Sequence, residues 1–186
     1  VMLLLMSAAW AGEGMWTPEQ VPAMGAQLTE MGLTLDPALL SDPLSEPLSS
    51  IVSLGFCSAS FISPDGLIAT NHHCVSGYLQ YNSTAEANRA RDGYTAADKA
   101  SELSVGPSGR IYVLERIDDV TERVQSRLKR RMSDSARKEA ISLVRKEIIA
   151  ECEAEPGYRC RVASFYEGMS YRLIVNREIA DVRLVY

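Results

Sequence analysis

The chain has 186 residues, of which 46% are apolar and 23% charged, and its net charge is -5. Such a composition belongs to globular chains rather than disordered ones. It also provides no general basic surface for nucleic acid, and the length suits one ordinary domain or a good part of a larger unit.

Residues Val1 to Ala11 are apolar, too few to span a bilayer, and end in the small-x-small pattern Ala9-Trp10-Ala11. They read as a partial signal peptide, 1–11, with cleavage before Gly12. A buried first strand is the alternative, but Gly12-Glu13-Gly14 suits a cleavage junction better. Export would carry the four cysteines into an oxidising compartment where they can pair.

Thr17, Pro18 and Gln20 form a helix-start signature, so a helix is expected to about Met31, with Pro22 as a possible restart and Gly32 closing it. Residues 36–50 carry three prolines and several serines and are expected to form a loop-rich connection. Short β-favouring runs follow at 51–55, 57–62 and 67–70. Ser63-Pro64-Asp65-Gly66 joins the last two as a tight turn, because proline presets one central position and glycine accepts a positive φ.

Asn82 to Glu86 is read as the start of a short helix ending near Asp92-Gly93, residues 95–103 as a helical turn, and 111–117 as a strand. Val120, Val124 and Leu128, then Ile141, Val144 and Ile148, recur at helical spacing and predict two amphipathic helices within about 118–153, broken near Ser133. Lys129-Arg130-Arg131 falls in this stretch and reads as a solvated helix face. After Pro156-Gly157, three strands are expected at 161–166, 171–175 and 182–186. The pattern stops inside the last of them, which reads as a fragment of a longer protein.

The chemistry concentrates in Thr70-Asn71-His72-His73-Cys74. A serine hydroxyl is a poor nucleophile until an imidazole takes its proton, and that base belongs on a rigid element at the rim of a cleft. His73 is placed at a strand end, with Cys57 and Cys74 flanking one hairpin so that their side chains can meet across its base. His72, on the same strand, would face away and serve a structural role.

Zinc binding by His72, His73 and Cys74 is disfavoured, because neighbours on a strand point to opposite faces and no second ligand pair is spaced for it. A c-type haem needs Cys-x-x-Cys-His, which neither cysteine pair supplies. No cofactor or metal is called for. Cys152 and Cys160 are expected to form a local disulfide stapling a helix end to the next strand. Asp65, Asp92 and Asp181 are poor candidates for a triad carboxylate, and Ser58, Ser60, Ser63 and Ser76 read as structural; no Gly-x-Ser-x-Gly elbow occurs.

These residues resemble the bacterial dipeptidyl-peptidase 7 and 11 family, serine peptidase family 46. The resemblance is carried by Gly14-Met15-Trp16 with Pro18, Ser63-Pro64-Asp65-Gly66-Leu67 leading into Thr70 to Cys74, Gly77 to Ser83, Asp92-Gly93-Tyr94 and Asp181 to Val185. It implies an all-β core with helical insertions, the N-terminal part of a chymotrypsin-like double β-barrel whose large helical domain lies beyond this chain. Residues 12–186 would then be the N-terminal portion of a catalytic domain. The implied activity is release of dipeptides from the free N-terminus of oligopeptides, in the periplasm or at the cell surface, by a homodimer without a membrane span.

Of the family's catalytic residues only the second histidine, here His73, falls inside the chain. The acidic triad member, the serine nucleophile and the groups that hold the substrate amino terminus are implied beyond Tyr186. Two other functions share the same barrel, a trypsin-like endopeptidase and a catalytically inactive exported binding module.

Overall fold

The computed structural model describes residues 16–186, so the segment read as a signal peptide and the cleavage junction at Gly12 lie outside the described residues. The first helix is divided, at Gly25 rather than at Pro22, which lies inside the first part. A 3-10 stretch, Pro18–Met24, precedes helix α1, Gly25–Glu30. The Gln20 side chain accepts from the Thr17 backbone N–H at 2.8 Å, and Gly32 follows α1 with φ of 100°. The connection to the first strand holds two 3-10 turns, Pro37–Leu40 and Leu48–Ser50.

Strands β1 (Ile51–Ser53), β2 (Ser58–Phe61) and β3 (Ile68–Thr70) form the expected meander, with Ile62 donating to Leu67 across the Pro-Asp-Gly turn. Gly66 there has φ of +88°. Gly66→Ala is expected to lower stability by about 1 kcal/mol, read as a shifted denaturant midpoint, because that conformation is strained for any Cβ.

The strand does not continue into the histidines. It ends at Thr70, and helix α2 spans His72–Tyr81, with Asn71 in extended conformation as its cap. The signal was present in the sequence: Cys74, Val75, Tyr78 and Leu79 recur at helical spacing directly behind an asparagine. His72 and His73 are therefore successive residues of a helical first turn, both exposed, and not opposite faces of a strand.

Two further expectations shift. Asn82 to Glu86 is a loop, because Asn82 closes α2 by donating to Tyr78 O; the short helix α3 is Arg89–Asp92, capped by the Asn88 side chain. Lys129, Arg130 and Arg131 are exposed but occupy the turn between α4 (Thr121–Gln125) and α5 (Asp134–Cys152), not a helix face.

The remaining strands are β4 (Leu103–Ser104), β5 (Ile111–Asp119), β6 (Tyr158–Phe165), β7 (Ser170–Ile179) and β8 (Arg183–Leu184). One antiparallel sheet runs β3-β2-β1-β5-β7-β6, and β4 pairs with β8. The described residues are thus mostly sheet with some helices, and the sheet is open, with β3 and β6 as its edges, rather than closed into a barrel.

The main core lies where α4 and α5 cover β6 and β7. Val144 and Ile148 from α5 meet Val162 of β6 and Leu173 and Val175 of β7, and Val124 of α4 is fully buried among them. Alternation on the strands and i, i+4 spacing on the helix bring these positions together. Ile148→Val removes one methylene from this packing and is expected to lower stability by about 1 kcal/mol in denaturant titration. Further along the same face, where Tyr158 packs against this core, Glu115, set off by a β-bulge, accepts from the Tyr158 hydroxyl at 2.8 Å and from Arg177 at 2.9 Å. The tyrosine bond, then the guanidinium, hold its carboxyl below the ordinary range. A second cluster of Val52, Ala59 and Ile111 supports the meander, and a third of Leu79, Val105 and Leu184 seats α2 on β4 and β8.

Candidate active site

The site is assembled from two tight pieces of backbone. The first is the turn from β1 to β2, where Leu54 N–H donates to Cys57 O at 2.8 Å and Gly55 has φ of +89°. Only glycine adopts that conformation without strain, and it lets the chain reverse within two residues. A Cβ on Gly55 would stand 3.4 Å from the Tyr112 ring of β5, so the turn also packs closely against that strand. Its tip carries Phe56.

The second piece is the start of α2. Cys74 N–H donates to Asn71 O at 3.0 Å, which closes the first turn and sets His73 on its exposed side. A Cys57–Cys74 disulfide joins the two pieces, as the spacing predicts. A His73 ring nitrogen lies within 4.8 Å of both sulfurs. The imidazole thus lies beside a covalent link that fastens one end of α2, while buried Leu79 fastens the other. With both sulfurs in a disulfide, neither is a thiolate, so Cys57, His73 and Cys74 do not constitute a zinc-type ligand set.

His73 lines an open groove of about 510 Å³ together with Phe56, Gly77, Tyr78, Arg110 and Tyr112. Phe56 and Tyr78 meet edge to face, with ring centroids 6.5 Å apart. Arg110 is committed to its own surroundings. It donates to Glu178 at 2.9 Å and to the Pro107 and Gly109 carbonyls at 2.8 and 2.7 Å. Sequence reasoning missed this wall, since its members come from three separate segments. A larger surface hollow, about 690 Å³ beside Thr121, holds none of the candidate residues.

The carboxylates rejected as triad members are engaged elsewhere or remote. Asp92 pairs with Arg91 and Asp181 with Arg183, and each guanidinium keeps its partner's carboxyl below the usual range. Asp65 is exposed in the hairpin turn. The serines have local roles: Ser76 donates to His73 O, Ser63 accepts from the turn amides, and Ser60 reaches Ser50. The Cys152–Cys160 disulfide forms as expected and ties the end of α5 to β6.

The Peptidase S46 family model matches residues 11–186, and the chain belongs to that family. It is 40% identical over 185 residues to the Asp/Glu-specific dipeptidyl-peptidase of Shewanella putrefaciens, covering 100% of this chain and 25% of that protein. Dipeptidyl-peptidase 7 of Capnocytophaga gingivalis is 36% identical over 188 residues, covering 98% and 26%. Among solved structures, Porphyromonas endodontalis DPP11 in complex with substrate superposes with a TM-score of 0.78 at 30% identity, over 93% of this chain and 26% of that one. The chain spans about a quarter of the length of these relatives.

Proposed function

We propose that this chain is the N-terminal part of an exported serine-type dipeptidyl-peptidase in which His73 is the general base. In this mechanism the imidazole takes the proton of a serine hydroxyl as it attacks the scissile carbonyl, then returns it to the leaving amine. The observation that carries the proposal is an exposed imidazole, braced by a disulfide and facing a groove, in a Peptidase S46 chain. The hydroxyl and the carboxylate that orients the ring are assigned to polypeptide outside residues 1–186, as is the recognition of a free substrate amino terminus.

The finer expectations belong to the same proposal. Residues 12–186 form one wall of a chymotrypsin-like catalytic domain, whose barrel needs strands from elsewhere to complete the open sheet. Residues 1–11 direct the protein to the periplasm or cell surface, and it acts there on oligopeptides as a homodimer. Among the described residues no helix is long and apolar enough to cross a membrane.

The test is dipeptide release by the full-length protein from peptides with free and with blocked amino termini. Only the free set is expected to turn over; cleavage within blocked polypeptides would identify an endopeptidase. A fluorophosphonate probe is expected to label the protein, and failure to label would favour an inactive binding module. Residues 12–186 alone are expected to release no dipeptide.

A further inference from the structure

We infer that the groove beside His73 is a leaving-group subsite, which binds an aromatic or large aliphatic side chain from the first two residues after the cleaved bond. The inference rests on His73 as the base and adds a substrate preference to it. A base that returns its proton to the leaving amine must come within hydrogen-bond reach of it, about 3 Å. The peptide segment that begins with that amine therefore leaves across the surface adjoining the imidazole.

Three features make that surface apolar and open. Phe56 is 66% exposed at the tip of its turn, and the neighbouring Cys57 is cross-linked, so the ring is presented from a fixed backbone. Tyr78 meets it edge to face. Gly77, one helical turn beyond His73, has open space where a Cβ would stand, so nothing from α2 fills the groove there. A polar residue would serve a hairpin tip in water, whereas a rigidly held aromatic ring gives contact area at little entropic cost.

The one cation on the rim does not make the groove an anion site. Arg110 donates to Glu178, a carboxylate it shares with Arg159, and a further part of its guanidinium is bound by the Pro107 and Gly109 carbonyls. An acidic leaving segment would have to compete with these partners, whereas an apolar one needs only the aromatic wall.

The experiment uses the full-length protein and peptides that share their first two residues. The third and fourth positions carry Gly, Ala, Leu or Phe in turn, and kcat/KM is read from dipeptide release. A preference of about tenfold for Phe over Gly is expected at one of these positions, as burial of a large apolar side chain gives. Phe56→Ala is expected to collapse that ratio towards one, and Gly77→Leu, which fills the groove, to do the same.

A flat series in the wild type overturns the subsite. So does an unchanged ratio in both variants, including the case where Phe56→Ala only lowers the melting temperature because other parts of the polypeptide cover the ring. His73→Ala separates the two levels of the argument. If it abolishes release while the series is flat, the subsite alone fails; if release survives, the assignment of the base fails as well.

Discussion

Exchanging His73 for alanine is expected to lower kcat for dipeptide release by at least about 10⁴-fold, since in the proposed mechanism it removes a triad member and leaves only binding and oxyanion stabilisation. KM should change far less, because the imidazole acts on the proton and not on substrate affinity. The measurement is single-turnover release by full-length protein, paired with fluorophosphonate labelling, which should fade in parallel. His72→Ala is the informative control. The two residues are successive in the first turn of α2, where side chains diverge by about 100°. His72 therefore cannot take over the role, and its removal should leave turnover largely intact. Equal losses in both variants would mean that the helix start, rather than one imidazole, is what matters.

Replacing Cys57 and Cys74 together by serine is expected to lower stability by about 3 kcal/mol, from the loop-closure entropy restored to the unfolded chain. The ring closed by this disulfide spans a sequence separation of 17 and contains β2, β3 and their turn. Thermal unfolding with and without the pair measures the effect. Activity should fall as well, and for a different reason: the disulfide lies beside His73, and without it the first turn of α2 is held by its own hydrogen bonds and the packing of Val75, with Tyr78 and Leu79 further along, but by no covalent link. If stability falls while kcat is unchanged, the disulfide is a staple and not a positioning device.

Much of what depended on neighbouring residues was legible in the sequence. The Pro-Asp-Gly turn, the hairpin around it and the two helices at Val124 and Ile148 each follow from spacing within a few residues, and the two disulfides from cysteines 17 and 8 residues apart. His73 was legible as an exposed, cysteine-braced histidine, but its element was not. The β-favouring run 67–70 dominated the local pattern, although the helical recurrence of Cys74, Tyr78 and Leu79 behind Asn71 marks the change at Thr70. Lys129 to Arg131 was misplaced because Leu128 prolonged the periodicity of α4 past its end at Gln125. The groove wall could not be read at all. Phe56, Tyr78 and Arg110 meet only after β1 has paired with β5, some sixty residues later in the chain.

The outer side of β3 has no strand partner among the described residues, and its last residue, Thr70, is separated from α2 only by Asn71. A strand supplied from elsewhere to complete the proposed barrel would gain main-chain hydrogen bonds along this margin. Closure of the sheet and placement of the imidazole would then meet within the few residues from Thr70 to His73.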